Sequence, residues 1–266
     1  MSSEHIDPAA SVAGGQSDAQ TPGLTLDGER HIPSLDPESM NHYRHMTAYH
    51  FATRFVRGAA VLDYGCGAGY GTNFLMRKAG VRSMAAADVS CPAINYCRRT
   101  YGDIANVFST IEPGARLPWP DASFQVVLMF QTIEHVADDA ALLREIRRVL
   151  QPGGRLIVTT PNVLLTRRYP EPPVNVFHVR DYDLSALRRV CGSAFEEVDE
   201  RGVFGSFRVS GAGLGAERWL AWRAIRKIRR LLFPPEYSVP ISLADFRISD
   251  RNLDAALDLL LVCQRR

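Results

Sequence analysis

Three glycines and two acids in the first half of the chain have the spacing of a nucleoside-binding turn. An apolar segment ends at Asp63 and runs into Gly65, Gly67 and Gly69, after which a helical pattern begins. Glycines allow positive φ angles and let a ligand approach the backbone, while the helix that follows offers unpaired N–H groups. Asp88 ends the next apolar segment, where a carboxylate can accept hydrogen bonds from ribose hydroxyls. Asp63 can bind a cationic amine or stabilise the turn.

Two of the seven histidines, His135 and His178, are predicted to lie where parallel strands end. Loops at that edge of an α/β sheet line the ligand crevice. An imidazole, with an ordinary pKa of about 6.5, suits the removal of a proton from an alcohol. His135 is a candidate general base, with a capping or packing role before Asp138 as the alternative. His178 is a candidate base, loop anchor or acceptor-binding residue. The acids near this edge lack the spacing of an octahedral oxygen site, so we expect no metal ion.

The elements that must position these residues alternate between apolar strands and helices. The predicted strands are 59–63, 83–88, 124–130, 155–160 and about 256–264, and the predicted helices are 40–56, 70–78, 92–101, 138–150 and 183–191. Strand 124–130 is apolar without alternation, which indicates burial on both faces. Alternating strands and helices predict an α/β fold with a doubly wound, mostly parallel sheet that carries helices on both faces.

The glycine turn and three later segments resemble motifs of the class I S-adenosylmethionine-dependent methyltransferases that act on small molecules. The later segments are 117–124 (LPWPDASF), 131–136 (QTIEHV) and 148–154 (RVLQPGG). The glycine spacing does not fit the Gly-x-Gly-x-x-Gly turn of dinucleotide-binding proteins. The resemblance covers about residues 59–161. It implies a Rossmann-like, seven-stranded sheet, S-adenosylmethionine as the cofactor, and methyl transfer as the activity.

The same resemblance implies which residues bind the cofactor. The glycines would pass under its methionyl part, with Asp63 near the amino group and Asp88 on the ribose hydroxyls. Gln131 would lie close to the sulfonium. The acid that meets adenine in this family stands where the chain has Pro113, and we expect Glu112 to replace it. The expected cofactor-binding set is Asp63, Gly65, Cys66, Gly67, Gly69, Asp88, Val89, Glu112 and Gln131.

Segments on both sides of these motifs are similar to those of bacterial methyltransferases associated with glycan pathways. They are 26–33 (LDGERHIP), 44–52 (RHMTAYHFA) and 174–182 (VNVFHVRDY). This similarity implies O-methylation of a sugar hydroxyl on a glycan or a glycosylated small molecule. The alternatives are an N-, C- or aromatic O-methyltransferase of a secondary metabolite, and a catalytically inactive partner protein that binds the cofactor.

Composition limits the partners and the location of the protein. The chain has 31 basic and 29 acidic residues, so no overall positive charge favours nucleic acid, and we expect none as a partner. The first residues have neither the basic nor the apolar region of a signal peptide, so we expect a cytoplasmic protein. The five cysteines form no C-x-x-C pair, which makes a disulfide framework or a structural zinc site unexpected.

The chain is predicted to divide into a tail, a covering helix and one catalytic domain. Residues 1–25 have almost no large apolar side chains and are predicted to be disordered. Residues 26–58 form the covering helix or lid, and 59–266 form the methyltransferase domain, with substrate-side insertions within 161–250. A basic amphipathic helix is predicted at 217–233. It could act as a lid, contact an anionic acceptor or make peripheral contact with a membrane surface.

Overall fold

The computed structural model describes Ile32 and residues 39–168, 177–206 and 241–266. The helices among them are α1 (Met40–Val56), α2 (Tyr70–Lys78), α3 (Cys91–Thr100), α4 (Asp139–Val149), α5 (Val163–Arg168) and α6 (Leu184–Gly192). The strands are β1 (Ala60–Tyr64), β2 (Ser83–Asp88), β3 (Phe108–Thr110), β4 (Phe124–Phe130), β5 (Leu150–Pro161), β6 (Glu196–Gly205), β7 (Phe246–Ser249) and β8 (Asp258–Gln264). The helices and strands predicted along 40–160 begin and end within one residue of the predicted bounds, except that β5 begins at Leu150 and that β3 was not predicted.

The strands form one sheet in the order β3-β2-β1-β4-β5-β8-β6-β7. Strands β1 to β5 pair in parallel, β8 runs antiparallel between β5 and β6, and β7 is antiparallel to β6. The predicted α/β, Rossmann-like and mostly parallel sheet is confirmed. The sheet has eight strands among the described residues instead of the expected seven, because residues 246–249 add a short edge strand. Strands β6 and β7 also place parts of 161–250 in the sheet itself.

Alternate residues of the central strands fill two cores on opposite faces of the sheet. Val61 and Val126 pack with apolar residues of α1 and α2. Leu62 and Val127 pack with those of α4 and α6 on the other face. Residues of β4 from Val126 to Phe130 are buried, as the apolar run without alternation predicts. The carboxyl ends of β1, β2 and β4 therefore meet at one edge of a rigid sheet.

Helix α1 covers this edge and is joined to the sheet by a buried ion pair. Arg44 Nε lies 3.2 Å from Asp258 Oδ2 at the start of β8, and the two side chains are 18% and 2% exposed. Tyr49, one turn further along α1, packs so closely on α2 that a Cβ at Gly71 would lie 2.0 Å from its ring. Ser39 caps the start of the helix by accepting a hydrogen bond from the Asn41 N–H.

Two sequence-based predictions fall outside this description. The tail at 1–25 and the basic helix at 217–233 both lie outside the described residues. None of the helices that the structure describes is both long and apolar enough to cross a membrane.

We expect Arg44→Ala to lower the free energy of unfolding by about 2–4 kcal/mol, because Asp258 would stay buried without its cation. Urea denaturation of the full chain measures the change. Arg77→Ala is the matched control, since its ion pair with Asp103 joins side chains that are 49% and 59% exposed. Its loss should stay below about 1 kcal/mol. Equal losses in the two variants would contradict the role given to Arg44.

Candidate functional site

The glycine turn after β1 presents open backbone to the crevice. Gly65, Gly67 and Gly69 have φ angles of +79°, +53° and +74°, which favour glycine over other residues. A Cβ at Gly65 would lie 2.3 Å from Oγ1 of Thr132, so the turn packs directly on the loop after β4. A Cβ at Gly67 would meet no atom within 4 Å. The turn is thus closed towards the protein at Gly65 and open at Gly67, where a ligand can approach the backbone.

Asp88 at the end of β2 holds the open part of this turn. Its Oδ2 accepts a hydrogen bond from the Gly67 N–H at 2.9 Å, and its Oδ1 accepts one from the Ser90 N–H at 2.8 Å. Each carboxylate oxygen can accept a further hydrogen bond. The next residue, Val89, is 51% exposed beside it. Asp88 therefore keeps acceptor capacity at the position predicted to bind ribose, with an apolar side chain next to it.

Asp63 is completely buried at the end of β1, beneath α1. Tyr49 Oη donates to its carboxylate at 3.1 Å, and Thr72 Oγ1 of α2 donates at 2.6 Å. Burial raises the pKa of Asp63 to about 6, although both hydrogen bonds act in the opposite direction. A cationic group placed beside this carboxylate would stabilise its charged form.

The other predicted cofactor residues surround these acids in different environments. Gln131 follows β4 with a φ of +50°, and its amide donates to Thr159 Oγ1 at 3.2 Å while its Oε1 accepts from Arg44 at 3.4 Å. Cys66 is buried under the turn. Glu112 is exposed after β3. The structure brings Asp63, Asp88, Gln131 and the glycines to one edge of the sheet.

A short 3₁₀ helix, Ile133–His135, turns two neighbouring side chains in different directions. Glu134 is only 1% exposed and accepts a hydrogen bond from Thr160 Oγ1 at 3.0 Å. Burial raises its pKa to about 8. His135 is partly exposed at the mouth of the crevice, and the start of α4 is capped by the Asp138 side chain instead. Asp138, and not His135, therefore caps the start of α4.

The second predicted histidine, His178, lies in a loop that is distant in sequence and packs next to His135. The backbone N–H groups of Val179 and Arg180 donate to the Glu134 carbonyl at 2.9 and 3.1 Å. The rings of His135 and His178 lie 5.1 Å apart between centroids, edge to face. Both predicted catalytic histidines therefore stand together beyond the end of β4.

Three features of the site were not predicted from the sequence. The first two are the hydrogen-bond partners of Asp63 and the Arg44–Asp258 ion pair, which join separate parts of the chain. The sequence signal nearest to them is the spacing of His45 and Tyr49, which stand one helical turn apart on α1. The third feature concerns metal binding, because the expectation of no metal ion rested only on the spacing of the acids in the sequence. The structure instead places ligand atoms of Glu134, His135 and His178 within 4.8 Å of one another.

These residues fit S-adenosylmethionine, the cofactor that the sequence motifs imply. The open backbone at Gly67 and the accepting oxygens of Asp88 suit a nucleoside. The buried Asp63 carboxylate suits the cationic amino group of a methionyl chain. When bound, the cofactor supplies an electrophilic methyl group.

Comparison with known proteins agrees with this assignment. Residues 62–158 match the family described as methyltransferase domain. The chain is 33% identical over 257 residues to a probable S-adenosylmethionine-dependent methyltransferase of Mycobacterium tuberculosis, covering 91% of this chain and 90% of that protein. It is 32% identical over 141 residues to a fatty-acid O-methyltransferase of Mycolicibacterium smegmatis, covering 52% and 50% of the two chains. Among solved structures, the chain shares its fold with the complex described as the Haloferax volcanii Trm112 methyltransferase activator and the putative methyltransferase. The TM-score is 0.59 at 17% identity, covering 88% of this chain and 96% of that one.

We expect Asp63→Asn to stabilise the cofactor-free protein at pH 7.5 by about 1–3 kcal/mol, because the charged carboxylate is buried. Its pKa is raised from 3.8 to about 6, so the wild-type protein loses stability as the pH rises through this range. The advantage of the variant should therefore shrink as the pH is lowered towards 5. Thermal unfolding at several pH values measures it. A pH-independent difference would contradict the assigned pKa.

Proposed function

Because the chain belongs to the S-adenosylmethionine-dependent methyltransferases, we propose that it methylates an oxygen atom, specifically a sugar hydroxyl of a glycan or glycosylated small molecule. The observation that supports an oxygen acceptor is the pair of imidazoles, His135 and His178, beyond the end of β4. An alcohol must lose its proton as the new bond forms, and a positioned imidazole can accept it. The sugar as acceptor rests on the sequence similarity of the flanking segments alone.

In this proposal the acids of the crevice bind the cofactor. Asp63 binds its amino group, Asp88 its ribose hydroxyls, and Gln131 lies beside the sulfonium. The glycine turn and Val89 contact the rest of the nucleoside, with Glu112 near the adenine. The amide of Gln131 is held by Thr159 and Arg44, so its position is fixed before the cofactor arrives.

The two histidines have different parts in the transfer. His135 accepts the proton of the acceptor hydroxyl, and His178 binds the acceptor. A hydrogen bond between His135 Nδ1 and the Phe177 carbonyl, at 3.1 Å, fixes the orientation of the first ring. His178 Nδ1 is paired with Asp181 Oδ1 at 3.0 Å. Such fixed orientations align the acceptor with the methyl group, which is the main task of the protein in a displacement of this kind.

The fatty-acid O-methyltransferase among the relatives also transfers a methyl group to oxygen, as its name states. A carboxylic acid is therefore the second acceptor to test. Mass spectrometry of host extract incubated with the protein and isotope-labelled methyl donor identifies the product. A labelled methyl ether on a sugar supports the proposal. A labelled ester, amine or carbon centre overturns the sugar acceptor, and no labelled product in any extract fraction favours an inactive binding protein.

We expect Asp88→Ala to weaken S-adenosylmethionine binding by about 1–3 kcal/mol, because ribose hydroxyls and the Gly67 N–H would lose their acceptor. Calorimetry of the cofactor and its demethylated product measures the change. Asp103→Ala, at an exposed ion pair away from the crevice, should bind like the wild type. NAD should not bind to any of the three proteins. Unchanged affinity in Asp88→Ala would remove this residue from the cofactor site.

With the acceptor identified, His135→Ala should lower kcat by roughly 10²–10⁴-fold and leave the affinity for the cofactor unchanged. His178→Ala should mainly raise the KM for the acceptor. Steady-state kinetics separates the two effects. His50→Ala, an exposed ring on α1, is the control and should retain the wild-type constants. The opposite pattern would exchange the two roles, and small effects in both would argue for positioning without a base.

A further inference from the structure

Three side chains at the mouth of the crevice combine the donor types of a transition-metal site. Ligand atoms of Glu134, His135 and His178 all lie within 4.8 Å of one another. Two imidazole nitrogens and one carboxylate oxygen suit Zn²⁺ and other late divalent ions, whereas Mg²⁺ and Ca²⁺ prefer oxygen ligands only. Three protein ligands leave one position of a four-coordinate ion open.

The hydrogen bonds of both imidazoles fix the orientation of the two rings. His135 Nδ1 lies 3.1 Å from the Phe177 carbonyl oxygen, and His178 Nδ1 lies 3.0 Å from Asp181 Oδ1. A carbonyl or a carboxylate can only accept, so Nδ1 carries the proton in each neutral ring and Nε2 carries the lone pair. Metal-binding histidines are typically oriented in this way, by a carbonyl or a carboxylate on the nitrogen that does not bind the metal.

The backbone around the three residues is fixed by the same loop. Val179 and Arg180 donate their N–H groups to the Glu134 carbonyl, which ties residues 177–180 to the 3₁₀ helix. The Glu134 carboxylate is buried and oriented by Thr160. Only small movements separate this cluster from a closed site, because the ligand atoms of a tetrahedral zinc ion stand about 3.4 Å apart.

We propose that Glu134, His135 and His178 bind one divalent transition-metal ion of the Zn²⁺ class, with Phe177 and Asp181 orienting the two rings. The position of this site has a consequence that rests on the proposed function. An ion bound here uses the lone pair that His135 would otherwise offer to a proton. In the metal-loaded protein the acceptor hydroxyl would bind at the open position, the ion would lower the pKa of that hydroxyl, and its proton would pass to solvent water because His135 could no longer accept it.

Metal binding is tested on the untagged full chain, without cofactor or acceptor. Co²⁺ serves as the spectroscopic probe, through the visible absorption of its low-symmetry complexes, and Zn²⁺ is titrated by calorimetry. We expect one ion to bind, with an affinity that falls at least about tenfold in His135→Ala, His178→Ala and Glu134→Gln. Asp181→Asn, which changes only the orienting group, should weaken binding about 10–100-fold.

His50→Ala and Cys91→Ser are the matched controls, since each removes an exposed donor outside the cluster and should bind like the wild type. Thermal unfolding and S-adenosylmethionine binding confirm that each variant is folded. The proposal is overturned if the double variant His135→Ala with His178→Ala binds the ions as the wild type does, or if the wild type binds none. Methyl transfer plays no part in these measurements, so an inactive protein that binds the ion would refute the proposed function alone.

Discussion

The hydrogen bonds from Tyr49 and Thr72 to the buried Asp63 carboxylate are the interaction on which the rest of the crevice depends. They tie α1 and α2 to the end of β1, and so place the covering helix over the glycine turn. The space for the Tyr49 ring exists because residue 71 is a glycine. With α1 in this position, Arg44 reaches both Asp258 and Gln131. One buried acid thus organises the wall, the turn and the amide beside the expected sulfonium.

Among the described residues, the crevice contains more buried carboxyl groups than cations that pair with them. Burial raises the pKa values of Asp63, Glu134 and Asp258, and Arg44 is the cation whose charge lowers two of them. Raised acid pKa values mean that these buried carboxyl groups resist ionisation. A ligand with an ammonium and a sulfonium group relieves that cost at the acids it reaches.

Sequence patterns were sufficient for the parts of the fold that depend on neighbouring residues. Helix α2 and strands β2 and β4 have the predicted bounds because local apolar spacing and glycines determine them. Strand β7 was missed because it is four residues long and becomes a strand only by pairing with β6. The docking of residues 177–180 on Glu134 was not predicted either. It joins segments that are far apart in the chain, so no local sequence pattern indicates it.

The turn after β4 explains why cofactor and acceptor chemistry are separated in this site. The positive φ of Gln131 ends the strand abruptly, and the 3₁₀ helix that follows sends Glu134 inwards and His135 to the mouth. Acids therefore line the inner part of the site, where the proposal places the cationic cofactor. The imidazoles lie further out, where the proposal places the acceptor. A neutral imidazole can accept the proton of a hydroxyl, whereas a protonated amine would first have to lose one. The distribution of donors along this one turn is the observation on which the proposed oxygen acceptor rests.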